Sequence, residues 1–222
     1  MQKILIVLLL VFFQMAVTAQ SVAKETDIVG YVNKEPVTAE EYALFAQRNR
    51  HAVITHFRNN KKLKYHANFW TDKSKGKTPG EVLKAMTMDS IVSIKVQYIL
   101  ARQYGIINDI SFQSIKQNLE NENQYRRQAL KQNVVIYGPE QYTMENYYYY
   151  LTSNMVIKLK DYMVRKGLIT VDVSKGITKT NNSTMHDDDK YYSKVHIANT
   201  QINEQYKIII QQLIKDAKVK LK

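Results

Sequence analysis

Apolar positions along the chain recur mostly with the period of a helix. They return every three or four residues over 39–58, 112–131, 139–166 and 197–215, which predicts four amphipathic helices. A further helix is predicted over 79–104, where apolar residues cover more than one face, so we expect it at the centre of the fold. Gly and Pro, which interrupt helices, number only 7 and 3 among 222 residues. The pattern predicts a mainly α-helical protein.

Two short segments instead have the period of strands. Residues 28–32 read IVGYV and end at a turn predicted over 33–35. Residues 217–222 alternate apolar side chains with lysines, as a half-buried strand does. The sequence therefore predicts one strand before the helices and one after them.

Capping signals mark the starts of the first two helices. Thr38 and Glu41 have the spacing of a capping box, in which each side chain binds a free backbone N–H of the other residue. Thr78, Pro79 and Glu81 combine an N-cap, a first-turn proline and the same box. Between these helices, residues 59–77 form a polar connector whose aromatic side chains we expect to fold back onto the body.

The N-terminus has the pattern of an export signal. Lys3 precedes the apolar run 4–13, and small residues follow at 17–19, which predicts a signal peptide over 1–19 that is cleaved after Ala19. The alternative is an uncleaved membrane anchor. The chain has no Cys, so we expect neither a lipoprotein nor a disulfide. The expected location is extracellular, cell-surface or periplasmic.

The charge favours anionic partners. Lys and Arg number 32 against 20 Asp and Glu, a formal net charge of +12. This charge would attract acidic polypeptides or anionic cell-wall polymer. Because the lysines are spread along the chain, we expect a solvated basic surface and no nucleic-acid site. A module that binds polyanions remains an alternative function.

Three segments together resemble the SurA/PrsA-type exported foldases. They are IVGYVNKEPVTAEEY (28–42), ILARQYGIINDIS (99–111) and LIKDAKVKLK (213–222). The resemblance implies a discontinuous helical chaperone domain, formed by 20–173 and 195–222, whose N-terminal and C-terminal strands pair in a small sheet. It also implies that the protein binds extended segments of unfolded exported proteins and needs no cofactor.

The chain departs from these foldases where relatives carry a catalytic domain. Residues 174–194 are a polar segment, predicted to be a loop, at the position where relatives insert a parvulin domain of roughly a hundred residues. No Gly-Gly pair of the parvulin type occurs. We therefore expect no catalytic residue, and a prolyl isomerase with a degenerate site is the alternative.

The histidines do not predict a metal site. His51 and His56 are five residues apart on a helix, off the spacing at which two imidazoles share a metal. His186 precedes the acidic run 187–189, but the spacing does not match a calcium loop. We read that run as a solvated acidic segment and predict no bound metal.

Sixteen tyrosines are the strongest bias in composition. Four of them are consecutive on the fourth predicted helix and cannot all face inward, because neighbours on a helix differ by about 100° in direction. Tyrosine suits adaptable contact with many peptides. We predict a peptide-binding groove, with packing of the core as the alternative role. Its candidate residues are Tyr142, Tyr147, Tyr148, Tyr149, Tyr150, Met155 and Trp70.

Overall fold

Five helices and three short strands form the part of the chain that the structure, a computed structural model, describes: residues 27–176 and 187–222. The strands are β1 (Ile28–Val32), β2 (Glu35–Thr38) and β3 (Val219–Leu221). The helices are α1 (Ala39–Asn60), α2 (Pro79–Gln103), α3 (Phe112–Lys131), α4 (Met144–Arg165) and α5 (Asp187–Lys215). The predicted mainly helical class with a small sheet is confirmed.

Two predictions fall outside the described residues: the signal peptide over 1–19 and any role of His186. Within the described ranges, no helix has the length and apolar character needed to cross a membrane.

The small sheet joins the two ends of the described chain. Its strand order is β2-β1-β3, and both neighbours run antiparallel to β1. Asn33 and Lys34 both have positive φ (49° and 72°), which is the geometry of a two-residue type I′ hairpin turn. The turn is therefore shorter than predicted, and Glu35 already belongs to β2. Opposite β2, Gly30 pairs with Leu221 in the predicted contact between the two end strands.

Gly30 permits the close approach of β3. A Cβ atom at this position would lie 2.8 Å from the Lys220 carbonyl oxygen and 3.2 Å from Leu221 Cδ2. Because the first of these atoms belongs to the backbone, it cannot move aside without shifting β3. We expect Gly30→Val to separate β3 from β1, and Gly30→Ala to do so in part.

Amide hydrogen exchange can measure this separation. In the wild type the Asn33 N–H is bonded to the Lys218 carbonyl (2.9 Å), and the Lys222 N–H to the Val29 carbonyl (3.0 Å). Exchange at both amides should accelerate at least about tenfold in Gly30→Val, while the amides of α2 stay protected. Unchanged protection at Asn33 and Lys222 would contradict the prediction.

Helix α2 is the central element, as its apolar residues on more than one face predict. It contacts α1, α4, α5 and β1, and Ile91 and Ala101 are fully buried on it. Leu159 of α4 and Ile210 of α5 belong to the same main core. A second, smaller core lies between the ends of α1 and α2. There Phe69 of the connector is fully buried and Trp70 is partly buried, as predicted, whereas Tyr65 is 59% exposed and does not fold back.

The two capping motifs behave differently. At α2 both bonds of the box form: Glu81 N–H donates to Thr78 Oγ1 (3.0 Å) and Thr78 N–H donates to Glu81 Oε2 (2.8 Å). At α1, Thr38 accepts from Glu41 N–H (3.1 Å), but the Glu41 side chain turns into the core. The prediction of a complete box at Thr38 is therefore wrong, because Glu41 has partners inside the fold.

Two helix starts also differ from the prediction. Helix α4 begins at Met144 after an N-cap at Thr143, later than the expected start at 139. Helix α5 begins at Asp187, so it includes residues that we expected in the loop 174–194 and before the predicted start at 197.

Candidate functional site

The four consecutive tyrosines of α4 face different sides of the helix. Tyr147 and Tyr148 are buried, whereas Tyr149 and Tyr150 are 60% and 45% exposed. Tyr148 packs edge-on against Phe45 of α1, with ring centroids 5.4 Å apart. The buried rings are therefore core residues, and only the outer pair presents surface to a peptide.

Three tyrosines at the start of α4 form one cluster, which we call the tyrosine cluster: Tyr142, Tyr147 and Tyr150. The rings of Tyr142 and Tyr150 are stacked with centroids 5.4 Å apart, and Tyr147 lies 5.6 Å and 6.2 Å from them. Burial raises the pKa of Tyr147, and the nearby Glu122 charge raises it further. The Tyr147 phenol therefore stays neutral at physiological pH, and the cluster carries no negative charge from it.

An exposed apolar segment adjoins this cluster. We call residues 134–137 (VVIY) the apolar loop. Val135 is 76% exposed and Tyr137 is 87% exposed, the highest value among the large apolar side chains of the described residues. Large apolar side chains in one contiguous exposed segment are typical of an interaction site.

Buried polar side chains of α3 hold the apolar loop in place. The Arg126 guanidinium donates to the carbonyls of Tyr137 (3.0 Å) and Pro139 (2.7 Å) and lies 4.5 Å from the centre of the Tyr142 ring. Glu122 accepts a further bond from Arg126 Nε at 2.7 Å. Arg126 is almost fully buried although it is charged. A single side chain therefore joins the apolar loop to the tyrosine cluster.

Asn123 of α3 binds the backbone of Tyr142, at the end of the segment that precedes α4. Its amide nitrogen donates to the Tyr142 carbonyl (2.9 Å), and its oxygen accepts from the Tyr142 N–H (2.8 Å). This paired contact imitates a strand ladder and leaves neither backbone group of Tyr142 unpaired. The loop before α4 is thus held from α3 by two polar side chains, which restricts the number of conformations that it adopts.

The remaining candidate residues lie elsewhere. Tyr149 faces α1, where the Arg48 guanidinium is 5.6 Å from its ring centre. Trp70 belongs to the smaller core and lies under Arg50 at 4.7 Å. Met155 is buried and borders a small cleft of about 160 Å³ between α3 and α4. The structure therefore brings together three of the seven candidates, and it places the other four at separate locations.

A buried ion pair lies beneath Tyr148, and the sequence analysis did not identify it. Lys95 Nζ of α2 lies 2.9 Å from Glu41 Oε2 of α1, and both side chains are at most 4% exposed. The Tyr148 hydroxyl donates to Glu41 Oε1 at 3.1 Å. Burial, followed by the Glu41 charge, raises the pKa of Tyr148 well above its usual value. Lys95 could have drawn attention, because it is the one charged residue in the largely apolar stretch 91–101.

The exposed residues of this region have the chemistry of a binding surface. In the described ranges no group of three or more His, Asp or Glu side chains is placed to hold a metal ion. The buried pair is shielded from solvent, and Tyr148, which binds Glu41, packs in turn against the rings of Phe45 and Phe112. By contrast, Tyr150 of the tyrosine cluster and Val135 and Tyr137 of the apolar loop are exposed and offer rings and apolar side chains next to phenol hydroxyls, a combination common at protein interfaces.

Comparison of the chain with protein-family models, with curated proteins and with solved structures finds no match.

Proposed function

We propose that the protein is an exported chaperone that holds extended segments of unfolded polypeptides against the apolar loop and the tyrosine cluster. The observation that carries the proposal is the exposure of Val135 and Tyr137 on a loop that Arg126 holds in place. A free loop with such side chains would collapse onto the body or associate with other copies. Here the side chains are presented to solvent in a defined arrangement, which lowers the entropy lost on binding.

The topology agrees with the proposed relation to SurA/PrsA-type foldases. Strand β1 opens the described chain, β3 closes it, and the two pair with the helices between them. Only residues 166–186 separate α4 from α5, too few for a parvulin domain. We accordingly propose binding without prolyl isomerisation. A standard isomerisation assay on a proline peptide tests this point, and clear turnover by the purified protein would favour the enzyme alternative.

Suppression of aggregation tests the proposed surface directly. The client is reduced, unfolded lysozyme, whose positive charge removes any attraction to a basic chaperone. We expect the wild-type protein to delay light scattering at near-stoichiometric ratios. The double variant Val135→Ser/Tyr137→Ser should need about five- to tenfold more protein for the same delay, because about 1–1.4 kcal/mol of apolar contact is lost.

The matched control carries the same two changes at a distant exposed site. Tyr192 and Val195 of α5 are 70% and 38% exposed, and Tyr192→Ser/Val195→Ser removes similar side chains. This control should suppress aggregation as the wild type does. Equal activity of both double variants would contradict the assignment to the apolar loop. Tight binding of a polyanion that falls steeply as salt rises would instead favour the polyanion-binding alternative.

A further inference from the structure

The outer edge of β3 is open in the described part of the chain. The sheet order β2-β1-β3 leaves β3 with one neighbour. Lys218 and Lys222 make backbone bonds to β1, at 2.9 Å and 3.0 Å. Antiparallel bonds alternate along a strand, so Val219 and Leu221 direct their N–H and C=O groups away from β1. These groups can receive a further strand.

The two faces of β3 differ sharply in character. Val219 and Leu221 project to the same side of the sheet as the fully buried Val32. Val219 and Leu221 are themselves each 46% exposed. Side chains alternate along a strand, so Lys218, Lys220 and Lys222 project to the other side. All three lysines are exposed. A strand that pairs with this edge therefore meets apolar side chains on one face and three ammonium groups on the other.

A cleft borders Leu221 at the end of this edge. It has a volume of about 330 Å³ and is lined by Val29, Tyr42, Lys84, Leu221 and Lys222. Tyr42 is partly buried, and this burial raises its pKa, so its ring contributes a neutral wall. The cleft can take an apolar side chain from an incoming strand, while Lys84 adds a further positive charge at its rim.

We propose that the outer edge of β3 binds an extended acidic segment of another polypeptide, in which apolar and acidic residues alternate. Its backbone bonds to Val219 and Leu221, its apolar side chains lie against the cleft, and its carboxylates face Lys218 and Lys220. A second copy of this chain is a poor occupant, because antiparallel pairing of two β3 strands would place lysines opposite lysines. The edge of β3 is a second binding surface, separate from the apolar loop.

Binding of a short capped peptide of alternating Val and Glu tests the inference, with titration calorimetry as the measurement. We expect binding that weakens as salt rises. A peptide with Lys in place of each Glu should bind at least about tenfold more weakly. A third peptide carries N-methyl groups on the edge that faces β3, and it should not bind, because its backbone donors are blocked.

Variants at Val219 separate backbone pairing from side-chain contact. Val219→Pro removes the outward N–H and leaves the bonds of β3 to β1 in place, since proline is tolerated at an open edge. Val219→Pro should weaken binding of the Val/Glu peptide at least about tenfold, whereas Val219→Ala should weaken the binding no more than about threefold. Circular dichroism and exchange at the Lys222 amide verify that the sheet remains intact in both variants.

Three outcomes would overturn the inference. They are equal binding of the Glu and Lys peptides, unchanged binding by Val219→Pro, and concentration-dependent dimerisation that Val219→Pro abolishes, since the last assigns the edge to a second copy. The Val135→Ser/Tyr137→Ser variant should bind the peptide as the wild type does. Failure of the peptide experiment therefore leaves the proposed chaperone surface untouched, and the reverse also holds.

Discussion

Replacing Lys95 by Met should lower the free energy of unfolding by about 3–5 kcal/mol, the largest effect that we expect from a single substitution in this protein. The change removes the ammonium group 2.9 Å from Glu41 Oε2 and leaves a carboxylate inside the main core. The Tyr148 hydroxyl still donates to Oε1, but one hydrogen bond from an uncharged donor does not offset the burial of a charge. Glu41→Leu should cost a similar amount, because it leaves the ammonium unpaired.

The double variant Glu41→Leu/Lys95→Met should be far more stable than either single variant. Both charges are then absent, and apolar side chains of similar size fill the space between α1 and α2. Replacement of a buried ion pair by apolar residues is often neutral or stabilising. We therefore expect a free energy of unfolding within about 1–2 kcal/mol of the wild type, and a coupling energy of several kcal/mol between the two positions.

Urea denaturation followed by circular dichroism measures all four proteins of this cycle. The matched control is the neighbouring pair Glu40 and Lys116, which joins α1 to α3 at the surface and is 65% and 38% exposed. Lys116→Met should change the free energy of unfolding by no more than about 1 kcal/mol, because solvent screens this pair. A double variant at positions 41 and 95 as unstable as the singles would contradict the argument.

The contrast between Glu40 and Glu41 shows where sequence reasoning stops. Both carboxylates stand in the first turn of α1, and the position of Glu41 three residues after Thr38 predicts a bond back to the Thr38 N–H. The structure instead turns Glu41 towards Lys95, more than fifty positions along the chain. Local spacing describes the bonds that a side chain can make near its own helix. It does not predict an ion pair with a residue as distant along the chain as Lys95.

The start of a helix can be predicted from sequence when local bonds determine it, and cannot when bonds from another helix do. The start of α2 is predicted correctly, because Thr78 and Glu81 bind one another and their bonds are entirely local. The start of α4 is not, although Pro139 is a good first residue for a helix. Arg126 and Asn123 of α3 bind the carbonyls of Pro139 and Tyr142, so this segment is held outside the helix until Thr143. The competing bonds come from another helix and are invisible to a local pattern.

The sequence predicts that some tyrosines of α4 are exposed, but it does not predict which candidate residues lie together. A helix with four consecutive tyrosines must expose some of them, and the structure exposes Tyr149 and Tyr150. The sequence does not indicate that Tyr142 and Tyr150 stack while Trp70 lies in a separate core. The exposure of the apolar loop could not be predicted, because valines such as Val134 and Val135 are usually buried. Their exposure depends on Arg126, whose contacts are tertiary.

Arg126→Met should reduce suppression of aggregation about as much as Val135→Ser/Tyr137→Ser does, although it leaves every exposed side chain of the apolar loop unchanged. The substitution removes the bonds to the Tyr137 and Pro139 carbonyls and the contact with the Tyr142 ring. We expect the free energy of unfolding to fall by about 2 kcal/mol, because two partly buried carbonyls lose their donor. The loop then samples many conformations, and binding must order it first.

Amide exchange and the lysozyme assay together test this effect. Exchange across 134–142 should accelerate in Arg126→Met, while amides of α2 keep their protection. The matched control is Arg127→Met, because Arg127 is 42% exposed and makes only a surface contact with Glu120. The free energy of unfolding of this control should lie within about 0.5 kcal/mol of the wild-type value, and the control should suppress aggregation as the wild type does. Full suppression by Arg126→Met, with the loop demonstrably released, would mean that apolar side chains suffice and that their fixed presentation contributes nothing to binding.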